Sequence, residues 1–117
     1  MLRRILAFQS VYYVVTGIWP WLSMATFEAV TGPKTDDWLV RTVGALVIAI
    51  GLALGMAARE GARSAAILTL SAASAAAFIA VDVGFVLSGT IRPIYLGDAL
   101  VEAAILLGVA VASRGRD

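Results

Sequence analysis

The sequence predicts an all-α protein, an integral membrane bundle of four helices with both termini on the cytoplasmic side. Three observations carry the bundle. Only 15% of the 117 residues are charged, whereas a soluble domain uses about 25% to coat its surface. Mean hydropathy is +0.92. Four apolar runs each approach the roughly 20 residues that a helix needs to cross the hydrocarbon core. Four passes and their turns use nearly all of the chain, so residues 1–117 read as a single transmembrane domain.

The first helix is expected over residues 2–22, with Arg3 and Arg4 in its first turn. Gln9, Tyr13, Thr16, Gly17 and Pro20 fall on one stripe at helical spacing. Hydrocarbon offers no partner for an amide or a hydroxyl, so this stripe should face the bundle. A basic start and an apolar run also describe a signal peptide, but no small-x-small cleavage site follows a short apolar core, so the run reads as a retained helix. Trp19 and Trp21 suit the membrane–water interface.

Residues 23–37 form a polar connector. The stretch from Trp21 to Val30 can make a short interfacial helix, and Thr31-Gly32-Pro33-Lys34 reads as a turn. Thr35 or Asp36 is a credible N-cap for the second long helix, expected over residues 38–58. Trp38 anchors its start. Gly44, Gly51 and Gly55 lie close to one face, and small residues at four-residue spacing let helix backbones approach. That face has two uses: packing within the chain, or a homo-oligomer through Gly44, Gly51 and Gly55.

A tight charged turn, residues 59–63, leads to the third long helix over 64–87. Its small side chains from Ser71 to Ala77 predict close contact with neighbours. A turn at 88–93 precedes the fourth helix over 94–112, with a small face of Gly97, Ala104, Gly108 and Ala112. Residues 113–117 are too short to fold alone. Orientation follows from the basic residues. Arg3, Arg4, Arg59, Arg63, Arg114 and Arg116 fall on one side and Lys34, Arg41 and Arg92 on the other, which puts both termini inside.

Composition also excludes chemistry. The chain has no Cys and no His, so thiol chemistry, disulfides, haem and the commonest zinc sites are not expected, and no cofactor is. A net charge of +1, with no basic stripe, carries no nucleic-acid signal. Membrane lipids are the expected partners.

The informative residues are charges inside the helices: Arg41, Asp82, Asp98 and Glu102. A charge at the bilayer centre costs about 2.5–3.5 kcal/mol on insertion scales, so such groups face the interior and pair. Helical rise places Arg41 roughly 5 Å, Asp82 about 8 Å and Glu102 about 12 Å below the outer helix ends. Asp98 and Glu102 are one turn apart on one face. All four should therefore meet in the outer half of the bundle. Gln9 and Tyr13 face the same interior from the first helix, so Arg41, Asp82, Asp98, Glu102, Gln9 and Tyr13 are the candidate ligand-binding residues. Such a network can simply lock the helices in register. It can also line a pocket for a lipid or small amphiphile, or belong to an ion- or proton-coupled path. No nucleophile or metal motif accompanies the acids, which argues against an enzyme.

The size, the four spans and the second helix, Arg41-Thr-Val-Gly-Ala-Leu-Val-Ile-Ala-Ile-Gly51, resemble the small bacterial four-helix membrane proteins grouped as DoxX-like. The segment Phe27-Glu-Ala-Val-Thr-Gly-Pro-Lys34 is similar to a family signature. The resemblance implies the bundle and a place in the bacterial inner membrane, and it implies no particular activity. The small multidrug transporters are of similar length, but they carry an essential Glu in the first helix, where this chain has no acid. A transporter or channel subunit, or an accessory subunit of a membrane complex, remains the alternative to a binding protein.

Overall fold

The computed structural model describes residues 1–114, so Arg116 and the end of the tail lie outside the described residues. Five helices follow one another: α1 Leu2–Leu22, α2 Met24–Thr31, α3 Asp37–Glu60, α4 Ala65–Leu87 and α5 Tyr95–Ala112. No strand occurs among the described residues. α1, α3, α4 and α5 are long and apolar enough to cross a membrane.

Local chemistry sets the boundaries. α1 stops at Ser23, which takes an extended conformation and whose hydroxyl accepts from Thr26 N at 3.3 Å, making it the N-cap of α2. α2 is the short connector helix, and it ends at Gly32 with φ 105°, a backbone region that a side chain resists. Asp36, rather than Thr35, is the N-cap residue of α3, although its side chain makes no capping bond. α3 runs on to Glu60 and is closed by Gly61 in the left-handed region at φ 66°. Ser64 caps α4 by accepting from Ile67 N at 3.2 Å.

The helices pack as two pairs. α1 lies along α3, and α4 lies along α5, whereas α1 meets α5 and α3 meets α4 over short stretches only. Glycines account for the closeness of the first pair. A Cβ on Gly17 would stand 2.6 Å from the Gly44 carbonyl oxygen, and one on Gly55 would stand 2.6 Å from Ser10 Oγ. Gly51 likewise backs onto the Ser10 carbonyl. The small face of α3 is thus filled by α1 within the chain, the first of the two uses its spacing allows.

Two other small-residue stretches pack differently from expectation. In the Ser71 to Ala77 stretch only Ser71 and Ala75 are buried, while Ala73, Ala76 and Ala77 are exposed. On α5 the buried face is Ala99, Glu102, Ile105, Val109 and Ala112. Gly97 looks into open space, and Gly108 is the one glycine of α5 that packs tightly, against Ile5. The physical reason is that α4 and α5 pack chiefly against each other, so one face of each suffices.

All four long helices contribute to a dry core at the end holding the termini, built on Leu2, Leu6, Leu54, Ala75, Ile105 and Val109. Two arginines finish that end. Arg3 Nε donates to the Ala58 carbonyl at 2.7 Å, and Arg63 Nη2 donates to the Ala112 carbonyl at 3.2 Å. Each places a cation at the negative end of a helix dipole. At the opposite end α2 folds back on α1, with Trp19 Nε1 donating to Thr26 Oγ1 at 3.0 Å and the Trp19 and Phe27 rings edge to face.

Candidate functional site

The polar stripe of α1 does face inward: Gln9, Tyr13, Gly17 and Pro20 are buried. α4 contributes Ser71 and Asp82, and α5 contributes Asp98 and Glu102. Because α4 runs along α1 and α5 runs against it, these residues stack in levels. Nearest the dry core, Gln9 Nε2 donates to the Ser71 carbonyl at 3.2 Å, and Ser71 Oγ donates back to Gln9 Oε1. One turn higher, Tyr13 Oη donates to Glu102 Oε1 at 2.8 Å. Next, Tyr12 Oη donates to Asp98 Oδ1 at 2.6 Å.

Asp82 completes the cluster, and its carboxyl group adjoins those of Asp98 and Glu102. It is only 3% exposed. Its Oδ2 is buried and receives no hydrogen bond among the described residues. A buried polar atom without a donor costs about 1–3 kcal/mol, so this oxygen is an acceptor awaiting a partner. The three acids do not form a group placed to hold a metal ion among the described residues.

Arg41 does not join them. Its guanidinium stands 5.8 Å from the centre of the Trp21 ring, and Trp21 Nε1 donates to its backbone carbonyl at 2.9 Å. The cause is the rotation of α3. Its glycine face turns to α1 and carries Arg41 with it, away from α4 and α5. The other two cations expected on that side are also occupied elsewhere. Arg92 donates to the Ala29 carbonyl at 3.3 Å. Lys34 Nζ donates to the Gly32 carbonyl at 2.8 Å and lies over the Phe27 and Tyr95 rings. Among the described residues, no cationic side chain pairs with Asp82, Asp98 or Glu102.

The cluster borders a cavity of about 610 Å³ between the two helix pairs. Tyr12, Tyr13, Asp82, Asp98 and Glu102 form its polar side, Val43, Val47, Phe78, Val81 and Phe85 are among its apolar walls, and Lys34 stands near α2. Several lining residues are themselves exposed, Leu39 and Val43 on α3 and Val81 and Phe85 on α4. The cavity is therefore open sideways between these two helices, whose own contact is slight. Below the cluster, the Gln9–Ser71 pair and the packing of Leu6, Leu54 and Ile105 fill the interior.

Of the six candidate residues, the structure brings Tyr13, Asp82, Asp98 and Glu102 to the cavity. Gln9 lies just beneath and Arg41 lies apart. Tyr12, which holds Asp98, and Lys34 also line the cavity, although neither is among the six candidates. Tyr12 carried a signal: it sits in mid-helix, far from either interface, where a phenol needs an internal partner. Of the aromatic residues near the helix ends, Trp19 and Tyr95 line the cavity. Trp21 instead packs on Arg41. No family model, curated protein or solved structure matches the chain.

Proposed function

We propose that this is a multi-pass protein of the bacterial inner membrane that binds a lipid or small amphiphile in the cavity between its helix pairs. Four helices long and apolar enough to cross a membrane support the membrane placement. The excess of arginine at the end holding the termini supports a cytoplasmic location for that end. The cavity then opens toward the outer half of the bilayer. The likeness of residues 27–34 and 41–51 to DoxX-like proteins accords with this placement.

One observation carries the binding reading: an apolar cavity of about 610 Å³ meets a buried carboxyl oxygen that has no hydrogen-bond partner. The volume falls in the range of about 300–1,000 Å³ usual for small-molecule pockets, which pair apolar walls with a few convergent polar groups. The filled interior below Gln9 and Ser71 favours a blind pocket over a path through the bundle.

Native mass spectrometry of gently extracted protein tests the reading. The expected result is a population carrying one small molecule, lost in Val43→Trp, a change that narrows the opening. A parent protein that flies without any bound molecule, even after incubation with lipid, overturns it.

A further inference from the structure

The proposed pocket has a polar side of unusual sign. Its carboxyl groups, on Asp82, Asp98 and Glu102, have no paired cation among the described residues. Lys34 is the cation among the lining residues, and three oxygen acceptors from Thr31 and Gly32 hold its ammonium. The Tyr12 and Tyr13 phenols are committed as well, one to Asp98 and one to Glu102. The open valence is on the acceptor side, at Asp82 Oδ2, which is buried and faces no donor. A ligand must therefore bring hydrogen-bond donors to this end, and positive charge suits it best. The walls beside it are Val47, Phe78 and Val81, which suit a hydrocarbon body.

From this geometry we infer that the cavity takes an amphiphilic amine, its nitrogen donating to Asp82 with Asp98 and Glu102 beside it. This deepens the binding reading above and rests on it. The ion pair balances whichever partner brings the proton. An ammonium meeting a carboxylate and a neutral amine meeting a carboxylic acid give the same pair. A carboxylate or phosphate headgroup would instead face like charge or leave Asp82 Oδ2 unsatisfied. A neutral alcohol can donate one hydrogen bond but brings no charge. The sideways opening between Leu39 and Val43 on α3 and Val81 and Phe85 on α4 is apolar, so such a ligand can come from a hydrocarbon phase with its chain leading.

The test uses full-length protein in uncharged phosphatidylcholine nanodiscs, with empty nanodiscs subtracted. The probes are dodecylamine, dodecanol and dodecanoate, which share one chain and differ in headgroup. Dodecylamine is expected to bind at least about tenfold more tightly than either of the others, a difference of about 1.4 kcal/mol. Asp82→Asn is expected to remove most of that preference, and a helical content equal to the parent's by circular dichroism shows that the variant is folded. Dodecanol or dodecanoate binding as tightly as the amine overturns the amine assignment alone. So does an amine preference that survives Asp82→Asn. If none of the probes binds above empty nanodiscs, the binding reading itself fails.

Discussion

The Tyr13 hydroxyl donates to the Glu102 carboxyl across 2.8 Å, and each side chain is only 1% exposed. The contact joins the α1–α3 pair to the α4–α5 pair where these otherwise meet sparingly. A phenol is well suited to the task. It supplies one donor on a rigid ring, and the ring packs edge to face on Phe78, with 5.6 Å between centres.

Tyr13→Phe keeps the ring and removes the donor, leaving Glu102 buried without it. A loss of about 1–3 kcal/mol in unfolding free energy is expected. Tyr12→Phe should cost less, because Tyr12 and Asp98 are only partly buried. Denaturant titration of the two variants side by side gives the comparison. Equal midpoints for Tyr13→Phe and the parent would show that the pair adds nothing to stability.

Gly17→Ala is expected to damage the α1–α3 pair. The new methyl would stand 2.6 Å from the Gly44 carbonyl oxygen and 2.8 Å from the Ile48 side chain. Overpacking of this kind typically costs about 1–3 kcal/mol. Gly97→Ala is the control, because no atom lies within 4 Å of the added carbon. The thermal midpoint should fall for the first and hold or rise for the second.

Arg41→Gln should leave amphiphile binding unchanged, since Arg41 rests on Trp21 and lies off the cavity. Its expected effect is on the tryptophan environment. Emission from Trp21 should shift while the affinity for a bound amphiphile stays within about twofold, a difference of roughly 0.4 kcal/mol. A larger drop in affinity would mean that Arg41 reaches the ligand after all.

The chain has no cysteine, so single cysteines report its orientation without background. In intact cells, Thr35→Cys should react with a membrane-impermeant maleimide, while Ser64→Cys should react only after lysis. Both side chains are exposed at opposite ends of the molecule. The reverse pattern would place the termini outside.

Most of the helix boundaries were legible because each apolar run is bracketed by charge, glycine or a capping hydroxyl, as at Ser23, Gly61 and Ser64. The convergence of Asp82, Asp98 and Glu102 was legible too, since rise per residue and one-turn spacing fix depth and face without knowledge of the neighbours. The fate of Arg41 was not. Its depth was readable, but its direction depended on which helix the glycine face of α3 would meet, and that is settled by the Gly17–Gly44 contact. The small residues of α5 misled for a related reason. Glycine permits a close approach but does not require one, and Gly97 has no neighbour to use it.

The helix capping described above also bears on the order of assembly during synthesis. Arg3 is made 55 residues before its partner, because the carbonyl it caps belongs to Ala58 near the end of α3. At about 5–20 residues per second, seconds pass before that carbonyl exists. Gln9 and Tyr13 wait longer, for Ser71 on α4 and Glu102 on α5. The first helix therefore spends its early life with its amide, phenols and arginine unmatched, until α3 takes Arg3, α4 takes Gln9 and α5 takes both phenols. α5, the last of the five helices, encloses the carboxyl cluster, so the pocket exists only once α5 has been made.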